Sequence, residues 1–160
     1  MGAAQVLKKY DMGLRLLATR APAFRTYTVC MTPQPVNLAA AFASFDEFYA
    51  PRVAAELNGQ MVKLAKIQGR FVMHSHPNED EFFLVQRGEL LMHFEDGPTR
   101  TIREGEFLVV PRGVRHCPDA HEECWVLLFE PASTLNTGDV GGEHTRDAVP
   151  LGVSSDEASR

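Results

Sequence analysis

The chain has 160 residues, 44% of them hydrophobic and 23% charged, which is the composition of one globular domain and excludes a disordered or fibrous protein. Its net charge of −5 and pI near 5.7 offer no attraction to a phosphate backbone, so no nucleic acid partner is expected and small molecules are favoured. No apolar run approaches the ~20 residues of a membrane span and no secretory signal is visible, so a cytoplasmic location is expected.

Residues 1–35 stand apart in charge: Lys8, Lys9, Arg15, Arg20 and Arg25 against Asp11 give +4, which leaves −9 for the remainder. Val6, Tyr10, Leu14 and Leu17 recur there at helical spacing. An N-terminal extension is expected, read as a helix docked on its own domain or a frayed arm, with organelle targeting as the minor alternative. From Asn37, an N-cap candidate, Leu38, Ala41, Phe42, Phe45, Phe48 and Tyr49 form an apolar stripe that predicts a short amphipathic helix ending before Pro51.

The period then changes. Residues 61–67, 70–75, 81–86, 89–95, 99–102, 106–110 and 123–129 read as short strands, with a hairpin turn at Asp96-Gly97 and punctuation at Gly88, Gly105 and Gly113. Many short strands with regular turns predict an all-β domain of two packed sheets with jelly-roll connections. The domain is expected over 36–131. Residues 132–160 read as a polar loop, either lying over the barrel or mobile, and a disordered last ten residues.

Cys30, Cys117 and Cys124 are odd in number and lack a CxxC spacing, so reduced thiols are expected. Cys117 is placed outside the interior, because neighbouring strand residues face opposite ways.

The chemistry concentrates in two stretches. In GRFVMHSHPNEDEFFLVQRG, His74 and His76 are two apart and project from one face of a strand, and Glu81 opens the next strand after a turn. In GEFLVVPRGVRHC, a Pro-Arg-Gly turn followed by a strand delivers His116 from the opposite side. Three imidazoles and a carboxylate meeting in one interior suit one divalent transition metal (Fe, Mn, Zn, Ni, Co or Cu) and not Mg or Ca, which prefer oxygen shells. Phe83 and Val85 share the face of Glu81 and are expected to line an apolar wall, as would Met73 or Phe71 only on a shifted register.

Weaker candidates are the basic Lys63, Lys66, Arg70, Arg112 and Arg115, any of which could meet an anionic substrate. Glu79 and Asp80 are expected to face water. His93 reads as a structural or rim residue, and His121 and His144 as loop positions.

The two stretches resemble the two motifs of the cupins. His74, His76, four residues, Glu81, six residues and Gly88 match the first; Gly105, Pro111, Gly113 and His116 match the second. Two departures lie off the ligand positions: four residues separate Gly69 from His74 where five is commoner, and Ala120 stands where an Asn is often found. The resemblance, over roughly Val36 to Pro131, implies a small cupin with the RmlC-like jelly-roll barrel, a double-stranded β-helix preceded by a short helix.

It further implies a metal-binding protein whose 3-His/1-Glu centre is His74, His76, Glu81 and His116. The expected function is a metal-dependent enzyme of isomerase or lyase type acting on a small sugar or carboxylate metabolite. Alternatives are a metal-dependent dioxygenase and a non-catalytic binding or sensor cupin. No catalytic residue is assigned. A homodimer is expected, its sheet edges covered with help from the N-terminal helix and strand 61–67.

Overall fold

The structure, a computed structural model, describes residues 34–152. The basic helix expected around Val6 to Leu17 lies outside the described residues, as do residues 153–160 of the last ten, which were expected to be disordered.

Among the described residues, one helix and eight strands follow in chain order: α1 (Leu38–Phe42), β1 (Arg52–Leu57), β2 (Gln60–Arg70), β3 (Glu81–Arg87), β4 (Glu89–Phe94), β5 (Gly97–Arg103), β6 (Phe107–Val110), β7 (His116–Pro131) and β8 (Val149–Pro150). The strands hydrogen-bond in the order β5-β4-β7-β2-β1-β8, with β3 bridging β6 and β7. All pairs are antiparallel except β1 with β8.

The long strand β7 ties the jelly roll together. Its first residues pair with β4 and the end of β2, and its last pair with both β2 and β3. The exposed residues His121, Glu122 and Glu123 form the corner where it passes from one sheet to the other. At Gly88 the chain likewise leaves the β3 sheet for the β4 sheet. The φ of +86° there suits glycine, and a Cβ would lie 3.0 Å from the Glu123 carbonyl oxygen.

Period-two alternation separates two apolar clusters. Ala65 and Ile67 of β2 and Cys124, Val126 and Leu128 of β7 point inward and join Phe83, Val85, Leu90 and Met92 in the interior. Leu64 points outward and packs with Phe42, Phe45 and Trp125 beneath α1. Phe42 stacks on Trp125 at 4.8 Å between ring centroids.

Several expected elements differ. The helix has its Asn37 cap, whose Oδ1 accepts from the Ala40 amide at 3.0 Å, but it ends at Phe42. The Ser44 hydroxyl donates to the Ala41 carbonyl, closing the last turn, and Tyr49 adopts φ +56°. The strand expected at 70–75 is absent: β2 runs on to Arg70, and residues 71–80 are irregular except for one bridge at His74. β1 and β8 were not foreseen. β2 lies between β1 and β7, so strand 61–67 offers no free edge for a second subunit; β5, β6 and β8 carry the free edges. The polar loop 132–148 lies against the barrel and is pinned at Ala132 to Gly59 and at Val149 to Pro51.

Candidate functional site

Two loops that the chain separates by about forty residues are stitched by backbone hydrogen bonds. His74 and His116 exchange both amide-to-carbonyl bonds at 2.9 Å, and the Gly113 amide donates to the His76 carbonyl at 2.8 Å. The Arg112 amide donates to Asp80 Oδ1 at 2.9 Å, and its guanidinium adds a contact to the same carboxylate at 3.2 Å. The Pro111-Arg112-Gly113 turn therefore holds the first motif as well as presenting His116. Glu81 joins through the β3–β6 ladder, opposite Val110.

The convergence of His74, His76, Glu81 and His116 follows from this stitching and not from a regular strand. One ligand-type atom from each lies within 4.8 Å of all the others, and all four residues are buried. His74 Nδ1 lies 3.0 Å from the Val72 carbonyl and His116 Nδ1 lies 2.9 Å from the Val114 carbonyl. Each imidazole donates its Nδ1–H to that oxygen and presents the Nε2 lone pair to the centre, the arrangement that fixes a metal-ligating tautomer.

His76 Nε2 and His116 Nε2 lie 3.1 and 2.9 Å from Glu81 Oε2, yet none of the three atoms makes a well-directed hydrogen bond. Three buried polar atoms crowded at one point without a well-directed hydrogen bond are destabilising unless a further group satisfies them. A cation would satisfy all three, and the donor set suits a borderline transition metal.

The electrostatics agree. Burial, reinforced by His116, holds the His74 imidazole down at about 4, so it is neutral and free to offer its lone pair. Burial also opposes charge on His76 and Glu81, but their mutual contact outweighs it, leaving the imidazole raised and the carboxyl, which His116 also stabilises, lowered.

Beside the cluster lies a cavity of about 50 Å³ whose wall includes His74, Glu81, Phe71, Phe83, Leu128 and Glu130. Phe83 lines it as expected from β3 periodicity, whereas Val85, also expected there, is fully buried in the interior cluster and does not line it. Phe71 lines it because 71–80 leaves the strand register; it stacks on Tyr49 at 4.5 Å, and the Tyr49 hydroxyl donates to the Gly69 carbonyl. Asn136, from the C-terminal loop, reaches the cavity and donates to the Tyr49 carbonyl.

The same loop clamps the residue between two of the histidines. The Ser75 amide donates to Asp139 Oδ1 at 2.7 Å, and the Asp139 amide returns a bond to the Ser75 carbonyl at 2.9 Å. Arg115 braces the clamp through Asp139 and the Met73 carbonyl, and pairs with Glu95.

The remaining candidates sit elsewhere. Lys66 lies on the outward face of β2, over the Phe45 and Trp125 rings and near Asp46 and Glu123. Arg70 and Arg112 are exposed. Lys63 is buried against Glu130. His93 is structural, between Thr99 and Asp119. His121 is an exposed residue of the β7 corner instead of a loop residue, and His144 lies in the C-terminal loop. Glu79 and Asp80 are half-buried and exposed, and Asp80 serves as the anchor for Arg112. Cys117 and Cys124 carry free thiols; burial pushes Cys124 up to about 12. Cys117 lies outside the interior cluster, its thiol directed at the Phe71 carbonyl.

Glu130 was missed in the sequence. It continues the inward set Cys124, Val126, Leu128, so a carboxylate on an apolar strand face was the available signal.

Residues 60–129 match the family described as cupin domain. A cupin-2 domain containing protein of Shewanella frigidimarina NCIMB 400 is 42% identical, with a TM-score of 0.59 over 60% of this chain and 93% of that one. A Neisseria meningitidis protein is 32% identical, with a TM-score of 0.57 over 61% of this chain and 99% of that one. The Bacillus subtilis (strain 168) protein YdbB is 36% identical over 80 residues, 50% of this chain and 71% of that protein. With the jelly roll, the two motifs and these relatives in agreement, the chain belongs to the cupin family.

Proposed function

We propose that the protein is a metal-dependent enzyme that holds one divalent transition metal through His74, His76, Glu81 and His116. Its substrate is a small sugar or carboxylate metabolite and its reaction an isomerisation or elimination. The observation that carries this reading is the convergence of His76 Nε2, Glu81 Oε2 and His116 Nε2, buried and crowded on one another without a well-directed hydrogen bond, with His74 beside a cavity.

When bound, such an ion supplies a Lewis acid that polarises a carbonyl or hydroxyl oxygen. The chain's own residues do the rest. Val72 and Val114 fix the tautomers of His74 and His116, and the Ser75–Asp139 clamp holds the loop that carries His74 and His76. Phe71, Phe83 and Leu128 keep bulk water from the cavity wall, which strengthens every polar contact inside.

The test is metal content by mass spectrometry on untagged protein purified without added metal, wild type against a His76→Ala/His116→Ala variant. About one equivalent in the wild type, lost in the variant, supports the centre. A wild type that stays empty and takes up no added metal sinks it. Iron accompanied by oxygen uptake with substrate turns the assignment to a dioxygenase, and ligand bound but never converted turns it to a sensor. The homodimer and the cytoplasmic location belong to the same proposal; light scattering on the full chain checks the first and cell fractionation the second.

A further inference from the structure

Three strands carry unbroken apolar runs: Phe82 to Val85 in β3, Phe107 to Val110 in β6 and Trp125 to Phe129 in β7. A strand with one solvated face alternates, whereas a continuous run marks a strand covered on both faces. The inward half of each run packs in or against the interior cluster. The outward half lines up across the sheet. Val109, Phe82, Phe129, Val62 and Ala55 are successive cross-strand neighbours on β6, β3, β7, β2 and β1, and Phe107, Leu84, Leu127 and Leu64 form the adjacent row. Helix α1 packs over the Leu127–Leu64 end of that second row. The rest is open: Phe107, stacked on Phe82 at 5.2 Å, is 64% exposed and Val109 is 48% exposed.

We propose that this outward face of β6, β3, β7 and β2 is a self-complementary interface, packed in solution against the same face of a second copy of the chain. This rests on the homodimer proposed above and names its surface, with no part played by the metal centre. Area and charge both favour a second copy. Neighbouring strands lie about 4.8 Å apart and alternate residues about 7 Å, so the two rows span about 20 by 14 Å, or about 300 Å². Exposed apolar patches of that size mark interaction sites, and a stable dimer surrounds such a dry core with a polar rim until about 800 Å² of each partner is covered. About a two-fold axis the patch meets itself, so any charge in it would face its own kind. Neither row contains one. At its border the exposed Arg112 and Asp80 neutralise each other through contacts of 3.2 and 3.3 Å, so no uncompensated charge of that pair meets its copy.

The experiment is light scattering on the full chain over a range of concentrations, with circular dichroism and metal content recorded on every sample. The wild type is expected to be a dimer. In Phe107→Lys/Val109→Lys, which alters only exposed side chains, the dissociation constant is expected to rise about tenfold or more, with fold and metal content unchanged. Val140→Lys, equally exposed but in the C-terminal loop, should remain dimeric. Mixing the Lys variant with Phe107→Glu/Val109→Glu should restore a dimer of mixed mass, because each face then meets the opposite charge. In the wild type itself, NMR on mixed labelled and unlabelled copies should show contacts between copies at Phe107 and Val109, a reading that needs no variant. A wild type monomeric at every concentration overturns the proposal together with the homodimer. A dimer that survives the Lys substitutions, variants that fail to associate when mixed, or a wild-type dimer without those contacts overturns the assigned face and leaves the homodimer standing on another surface.

Discussion

Ser75 stands between His74 and His76, and the C-terminal loop grips it by backbone as well as side chain. Gly138 comes so close that a Cβ would lie 2.2 Å from the Ser75 carbonyl oxygen, and its φ of +50° also favours glycine. Asp139 then accepts the Ser75 amide, and that hydrogen bond holds its carboxyl below the usual 3.8. A carboxyl whose folded value lies below its unfolded value contributes stability above the unfolded value and loses it as pH falls through the folded one. Hydrogen exchange at the Ser75 amide is therefore expected to accelerate, relative to acid-exchange controls, as pH drops below the carboxylate range. The step should be missing in Asp139→Asn. Persistence of the same step in that variant would show that some other group releases the clamp.

At the scale of elements, α1 and the ligand-bearing interior lie on opposite faces of the β2–β7 ladder. Phe42 is fully buried against Trp125 and Leu64 on the outer face, whereas Ala65, Ile67 and Leu128 face the cavity. Phe42→Ala is expected to destabilise the protein by roughly 3–5 kcal/mol in urea unfolding, as truncation of a buried aromatic does. Metal content of the folded fraction should stay at the wild-type level. A loss of metal in the folded variant would mean that the helix supports the centre through the strands. Asn37 and the apolar stripe made this helix legible, but its length was overestimated because the helix ends at Phe42, where the Ser44 hydroxyl bonds the Ala41 carbonyl, while Phe45 still packs in the same outer cluster.

For the whole molecule, the centre joins parts that are distant in the chain: the 71–80 loop, β3, the start of β7 and the 132–148 loop. A ligand that binds only the folded form stabilises all of them together, by about 2.7 kcal/mol at a hundredfold excess over Kd. Calorimetry is therefore expected to show one unfolding transition whose Tm falls on the order of 10 °C when metal is chelated. An unchanged Tm, in protein shown to have lost its metal, would separate the centre from the stability of the barrel.

The sequence by itself determined the all-β jelly roll, the helix before it and the four converging residues, because these rest on local regularities. Alternating strands, glycine turns and two motifs of fixed spacing state where His74, His76, Glu81 and His116 lie along the chain. Tertiary structure alone decided how they meet. The segment carrying His74 and His76 is not a strand, and its shape comes from bonds to His116, Gly113 and Asp139, partners chosen by the closing of the barrel. The same holds for Glu130 and Lys63: each sits at an inward position of its own strand, but only the pairing of β2 with β7 brings the two charges together. Long-range hydrogen bonds and buried ion pairs leave no periodic trace in one sequence, because each partner's position depends on a segment that local pattern does not specify.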